Sequence, residues 1–234
     1  MSKIGCRIFT KVDRPSPELV AKFRGIPTSN INDMMNRLYN TDGTIKLMNS
    51  AGPMLGTVIT VKAPLGDNAM FHRALDIAQP GDVVVVDNGG CVERSIAGEM
   101  MMTYAAMKGI AGWVVNGSLR DLDGLRKCPM PIYCKAITPQ GPYKNGPGEI
   151  NVPVCCGGVA VLPGDIAVGD DDGVVFIRKE DAPLVIEEAI EKYASESKKL
   201  EQYYAEGLKE IGPKHVSSWE KKMALQRKVW KSEY

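Results

Sequence analysis

Glu99, Arg120 and Asp121 are the residues whose types and spacing best suit chemistry. Twenty residues, Met100–Leu119, separate Glu99 from the adjacent Arg-Asp pair. Gly98-Glu99-Met100-Met101 falls early in a helix expected over about Arg94–Lys108, or at its first turn if the helix starts later than the pattern alone suggests. First-turn amides lack intrahelical partners and favour anions. An apolar strand, Gly112–Val115, runs into Asn116-Gly117-Ser118-Leu119-Arg120-Asp121. In open α/β sheets ligands collect beyond the carboxyl ends of strands, so these segments could converge on one crevice. Arginine offers a planar fork for a carboxylate or enolate oxygen, aspartate can hold a hard divalent cation, and Glu99 could hold one of its waters. Together they would make an electrophilic site for a 2-oxo acid, where charge develops on the carbonyl oxygen during bond cleavage. The plainer reading of the same residues is a surface Arg-Asp turn with a satisfied glutamate nearby.

The elements that must position these residues can be read from the pattern. Pro15-Ser16-Pro17 opens a helix around Glu18–Phe23, and Gly25-Ile26-Pro27 breaks it. Thr28, Ser29 and Asn30 can cap a second helix, in which Ile31, Met34, Met35 and Leu38 recur at helical spacing. Thr57–Lys62 reads as a strand, Asn68–Ala78 as a helix and Val83–Val86 as a buried strand. Asn88-Gly89-Gly90 is expected to be a loop. The helix before Gly109 and the strand after it complete a strand–helix–strand unit with parallel strands. Beyond Asp121 come short strands at Pro131–Ile137, Val152–Cys155, Gly158–Leu162, Asp165–Val168 and Val174–Arg178. Asp170-Asp171-Asp172-Gly173 lacks the alternating ligands of a calcium loop and is expected to turn a hairpin. Asp181–Gly207 is a long charged helix, and the basic tail Pro213–Tyr234 carries Trp219 and Trp230. The aromatics among those charges suggest docking on a neighbouring subunit.

Composition bounds the rest. The chain has 234 residues, 29 basic and 28 acidic side chains, and a formal net charge of +1. That balance argues against a nucleic-acid protein relying on a general basic field. No run of 18 apolar residues exists, so no membrane span is expected. Met1–Arg14 has no apolar core of a signal peptide, so a cytoplasmic location is expected. The two histidines, His72 and His215, cannot build a His-rich zinc site. A metal would be held by carboxylates, carbonyls and water, which points to Mg²⁺ or Mn²⁺. The six cysteines form no C-x-x-C pair and are expected to be buried thiols, with Cys155 and Cys156 facing opposite ways if on a strand.

From about Gly66 to Lys179 the sequence resembles the RraA-like proteins, which include the 4-hydroxy-4-methyl-2-oxoglutarate / 4-carboxy-4-hydroxy-2-oxoadipate aldolases. The resemblance rests on Gly66-Asp67-Asn68, Gly98-Glu99, Gly117-Ser118-Leu119-Arg120-Asp121, Gly141-Pro142-Tyr143-Lys144-Asn145-Gly146-Pro147-Gly148, and Pro163-Gly164-Asp165 through Asp172-Gly173. An acid, twenty residues and then Arg-Asp mark the aldolase branch; the ribonuclease-binding branch keeps Arg-Asp without the acid. One departure is Gly124, where family members often carry a further acid. The resemblance implies an α/β fold, a swivelling β/β/α sandwich with a long C-terminal helix. Residues 1–180 would form the catalytic domain, and 181–234 a helix and tail packing on a neighbour. It also implies roles: Asp121 ligates Mg²⁺ or Mn²⁺ directly, Glu99 through water, and Arg120 stabilises a pyruvate enolate. Gly98 and the amides of Met100 and Met101 cradle the pyruvyl carboxylate beside Asn68. Lys144, Asp33 and Glu196 contribute nearby or across subunits of a trimer or hexamer, with Glu201 competing for the role of Glu196. The activity implied is retro-aldol cleavage of a 4-hydroxy-2-oxo dicarboxylate to pyruvate, with oxaloacetate decarboxylation alongside. The rivals are a Schiff-base aldolase using Lys62, Lys108 or Lys144, and a non-catalytic regulator of a ribonuclease or helicase.

Overall fold

The chain opens with two short helices, α1 (Pro17–Lys22) and α2 (Thr28–Met34). Ser16 caps α1 by accepting the Leu19 amide, and Pro17 sits in a first turn that needs no donor. α2 is shorter than its apolar spacing predicts. Asn36 and Arg37 take positive φ, so the helix closes at Met34 and Leu38 is left exposed. The structure is a computed structural model and describes residues 3–206. His215, Trp219, Trp230 and the rest of the basic tail lie outside the described residues.

After the two-residue edge strand β1 (Lys46–Leu47), strands and helices alternate: β2 (Met54–Lys62), α3 (Ala69–Ile77), β3 (Asp82–Ser95), α4 (Glu99–Met107), β4 (Gly112–Leu119), α5 (Leu122–Lys127) and β5 (Ile132–Ile137). β2, β3, β4 and β5 are parallel neighbours, so the strand–helix–strand unit expected around α4 is one of three in succession. The second half is antiparallel. β6 (Glu149–Ile150) pairs with β2, while β7 (Val154–Cys156) and β8 (Val159–Val161) form a separate hairpin. β9 (Ile166–Asp170) and β10 (Gly173–Ile177) form another, with Gly173 opposite Asp170, so Asp170–Gly173 is the expected turn. β9 joins the free side of β2, giving the order β1-β5-β4-β3-β2-β9-β10. α6 (Ala182–Glu206) ends the described chain.

Four further expectations are corrected. β3 continues through Asn88-Gly89-Gly90, because both glycines take positive φ and the pairing with β4 slips after Asp87: the strand bulges instead of stopping. Arg94 therefore ends a strand rather than starting a helix, and α4 begins at Glu99. Asn116–Leu119 likewise belongs to β4, and α5 follows Asp121 where no helix was expected.

Because the central strands are covered on both faces, they read as continuous apolar runs. Val84, Val86, Trp113 and Val115 face α3, α4 and α5, where Phe71 meets Trp113 edge-on at 4.8 Å. Val83, Val85, Val114 and Tyr133 face the inside of the curled sheet beneath β7 and β8. The Tyr133 hydroxyl donates to Asp170 O at 3.0 Å, tying β5 to the end of β9 and nearly closing the sheet. α2 and the start of α6 cover β9 and β10 through Ile31, Val185 and Ile186. All six cysteines are free, but only Cys128, Cys134 and Cys156 are buried; Cys155 and Cys156 do face opposite ways. The chain divides after Ile190 into two compact units, Met1–Ile190 and Glu191–Tyr234. Among the described residues no helix is long and apolar enough to cross a membrane.

Candidate active site

The site is built where α4 begins and β4 ends. Gly98 is the N-cap of α4 and brings no capping side chain. The Asp121 carboxylate does that work from 22 residues along the chain: its Oδ2 accepts the Glu99 amide at 3.0 Å. A negative charge there also suits the helix dipole. Gly98 must be glycine for this approach, since a Cβ would collide with Asp121 Oδ2 and stand 2.9 Å from Arg120 Cγ. Because α4 starts at Glu99, the Met100 and Met101 amides have no partner one turn back and remain open to an anion.

Asp121 holds a left-handed backbone, φ 61° and ψ 50°, at the junction between β4 and α5. Such a conformation costs a non-glycine residue about 1 kcal/mol or more and is a frequent mark of functional sites. It turns the carboxylate back to α4 and aims Arg120 beside it, with Arg120 Nε 3.7 Å from Asp121 Oδ2. Both side chains are a little under half exposed, at 45% and 44%.

Two further segments close a cleft of about 240 Å³ around Arg120 and Asp121. The first is the start of α3, with Asn68 buried and His72 one turn on at the cleft wall. The second is the loop bearing Pro142 and Lys144. Asp67 accepts the amides of Asn145 and Gly146 at 2.7 and 2.9 Å, and Tyr143 exchanges backbone bonds with Gly66 and Asn68. Arg94 stacks 4.0 Å over the Tyr143 ring and donates to Gly141 O.

Gly98, Met100, Met101, Asn68, Arg120, Asp121 and Lys144 are thus brought together. The Glu99 side chain does not line the cleft. Its carboxyl lies over Gly124, where a Cβ would be 2.6 Å from Glu99 Cδ, so it occupies the space left by the missing side chain. Gly124 is one turn past Asp121, on α5. Asp33 is not in the cleft: it sits on α2, against β9 and β10, and pairs at 2.9 Å with Arg37 just beyond the helix. Glu196 belongs to the second compact unit, as does Glu201, and pairs there with Lys192 at 3.4 Å. Of the candidate Schiff-base lysines, Lys108 donates to Leu75 O and Asp76 O, Lys62 is exposed, and only Lys144 reaches the cleft.

Sequence reasoning missed His72. The available signal was its spacing of four from Asn68, which puts both on one face of α3. Partial burial and the nearby Lys144 ammonium hold its imidazole below the ordinary histidine value, with Asp76 pulling the other way.

Asp121 and Glu99 could hold a metal. Among the described residues no cluster of three or more His, Cys, Asp or Glu side chains is placed to bind one. A half-exposed carboxylate, with water for the remaining positions, suits a hard ion such as Mg²⁺ or Mn²⁺.

Residues 28–176 match the RraA-like family, described as Aldolase/RraA. A Halalkalibacterium halodurans protein is 40% identical over 179 residues, covering 76% of this chain and 85% of its own; its provisional name is 4-hydroxy-4-methyl-2-oxoglutarate aldolase. The chain belongs to the RraA-like family. A Thermus thermophilus relative named 4-hydroxy-4-methyl-2-oxoglutarate aldolase is 38% identical over 111 residues, 47% of this RraA-like chain and 68% of that one. Among solved structures, an unusual Streptomyces coelicolor member of the RNase ES inhibitor RraA protein family superimposes with a TM-score of 0.72 at 28% identity. It covers 81% of this RraA-like chain and 100% of its own.

Proposed function

We propose that this RraA-like protein is a divalent-metal-dependent aldolase that cleaves a 4-hydroxy-2-oxo dicarboxylic acid to pyruvate and a second oxo acid. The observation that carries the reading is the convergence of the Asp121 carboxylate, the Arg120 guanidinium and the open α4 amides on one cleft. The amides of Met100 and Met101 receive the substrate's C1 carboxylate, and Arg120 faces the 2-oxo oxygen, where negative charge grows as the C3–C4 bond breaks. A Mg²⁺ or Mn²⁺ ion on Asp121, with Glu99 holding it through water, would supply Lewis acidity at the same oxygen. Solvent in the half-exposed cleft takes the 4-hydroxyl proton as the bond breaks, the hydroxyl oxygen becomes the new carbonyl, and the bonding pair passes into the pyruvate enolate. A proton returned to C3 completes pyruvate. Oxaloacetate would reach the same enolate by losing its C4 carboxyl as CO₂. Lys144 at the cleft edge suits the distal carboxylate.

The test is a lactate-dehydrogenase-coupled pyruvate assay across several 4-hydroxy-2-oxo acids. Activity is expected to vanish with EDTA and return with Mg²⁺. Arg120→Ala is expected to lower kcat on the order of 10²–10³-fold, as loss of an oxyanion donor does. Full activity of Arg120→Ala would sink the reading. We also propose a trimer or hexamer in which Asp33 or Glu196 of a neighbour reaches the cleft; a monomeric mass in solution counts against it. Similarity to the RNase ES inhibitor family favours one second reading, a regulator without turnover, and a ribonuclease pull-down with no metal-dependent pyruvate release would support that instead.

A further inference from the structure

His72 lines the same cleft as Arg120, Asp121 and Lys144, and its Nε2 lies 3.3 Å from Asn68 Nδ2. That amide nitrogen also lies 2.9 Å from Ile96 O, an atom that can only accept. The Asn68 amide is therefore oriented with its NH₂ group toward both Ile96 O and His72. An NH₂ group can only donate, so a hydrogen bond between the two requires His72 Nε2 to accept. The ring is then neutral and carries its proton on Nδ1. Lys144 across the cleft disfavours a second positive charge on the ring, Asp76 on α3 favours it, and Arg120 and Asp121 are the other charged groups lining the cleft. Asn68 itself is 2% exposed, and its Oδ1 is buried without a hydrogen-bond partner.

We infer that neutral His72 is a positioning residue that fixes the Asn68 amide, and that protonating His72 releases the amide and weakens the cleft's hold on a 2-oxo acid. A protonated Nε2 is a donor facing a donor. Turning the Asn68 amide would give the orphan Oδ1 to Nε2–H but set it against Ile96 O, so either orientation leaves buried polar atoms mismatched. The cleft feels the change directly, because Asn68 Nδ2 also lies 3.6 Å from Met101 Sδ in the first turn of α4.

The inference rests on the aldolase reading only for its kinetics, so the first test uses the full chain without substrate. ¹⁵N NMR of imidazole-labelled protein at pH 8, assigned by the signal lost in His72→Gln, is expected to show an Nδ1–H ring with Nε2 accepting. An Nε2–H ring overturns the inference. The second test is calorimetric binding of oxalate, a planar enolate mimic, with Mg²⁺ between pH 5 and 8. Wild-type affinity is expected to fall about tenfold as pH drops through the His72 pKa. His72→Gln can accept from Asn68 but cannot titrate, so its affinity should vary less than about twofold over that range. His72→Leu, with no acceptor, should bind about tenfold more weakly than His72→Gln at pH 8. Identical acid limbs in wild type and His72→Gln overturn the inference. Absent turnover with an Nδ1–H ring and His72-dependent oxalate binding would refute the aldolase reading and leave this one standing.

Discussion

Gly98 carries no functional group, yet the Arg-Asp pair depends on it. The Asp121 carboxylate caps α4 only because nothing projects from position 98. Gly98→Ala is expected to push Asp121 Oδ2 off the Glu99 amide and crowd Arg120, lowering kcat/KM about 100-fold while shifting Tm by only a few degrees. Pyruvate release and thermal unfolding of the same preparation check this, and unchanged kcat/KM would refute it. Arg120-Asp121 could be singled out in the sequence because a charged pair at a strand end is a local fact, whereas the Glu99 side chain, expected at the same crevice, lies over Gly124. The need for glycine at 98 was not legible there, because it arises only when β3 and β4 pair and bring residues 22 apart into contact. His72 was hidden for a different reason: a histidine count excludes a zinc site but says nothing of where one histidine stands.

At the scale of elements, the cleft depends on a loop held by backbone bonds from Tyr143 to Gly66 and Asn68 and by the side chains of Asp67 and Arg94. Asp67 is buried and accepts three amides, those of Ala69, Asn145 and Gly146, so one carboxylate starts α3 and pins the loop around Lys144. Asp67→Ala would strand those amides at a cost of about 1–3 kcal/mol. It should also raise KM more than it lowers kcat, since Lys144 is displaced while Arg120 and Asp121 stay. Urea unfolding and steady-state kinetics measure both, and loss of stability with KM untouched would show the loop to be scaffolding alone. The alternation of β2–α3–β3–α4–β4 was readable, since parallel strands buried on both faces leave continuous apolar runs. The path of β3 was not. Asn88-Gly89-Gly90 has the composition of a turn, and only pairing with β4 makes it a bulge. α5 was equally hidden, because Gly124 in its middle is a poor helix former and its place is set by the Glu99 carboxyl lying over it.

For the molecule as a whole, one buried carboxyl contributes a pH dependence of folding opposite in sign to that of a paired carboxylate. Asp165 precedes β9 and joins several elements: its carboxylate accepts from Leu162 and pairs with Arg178 at the end of β10, and its carbonyl accepts the Val58 amide of β2. Arg178 and the Leu162 amide favour the charged form, but burial outweighs them and pushes the carboxyl up to about 6. The folded chain therefore holds this proton more tightly than the unfolded chain, whose aspartates titrate near 3.9. Stability from this group is fully present below about pH 4 and is lost as pH rises through about 6, opposite to a carboxylate whose value is lowered by its partner. The loss between these limits is on the order of 3 kcal/mol. Asp165→Asn removes the titration while keeping side-chain size. Urea midpoints at pH 5 and 7 should therefore show wild type gaining stability relative to Asp165→Asn as pH falls. A wild type that loses ground to Asp165→Asn on acidification would mean that the Arg178 pair, not burial, governs this junction of β2, β9 and β10.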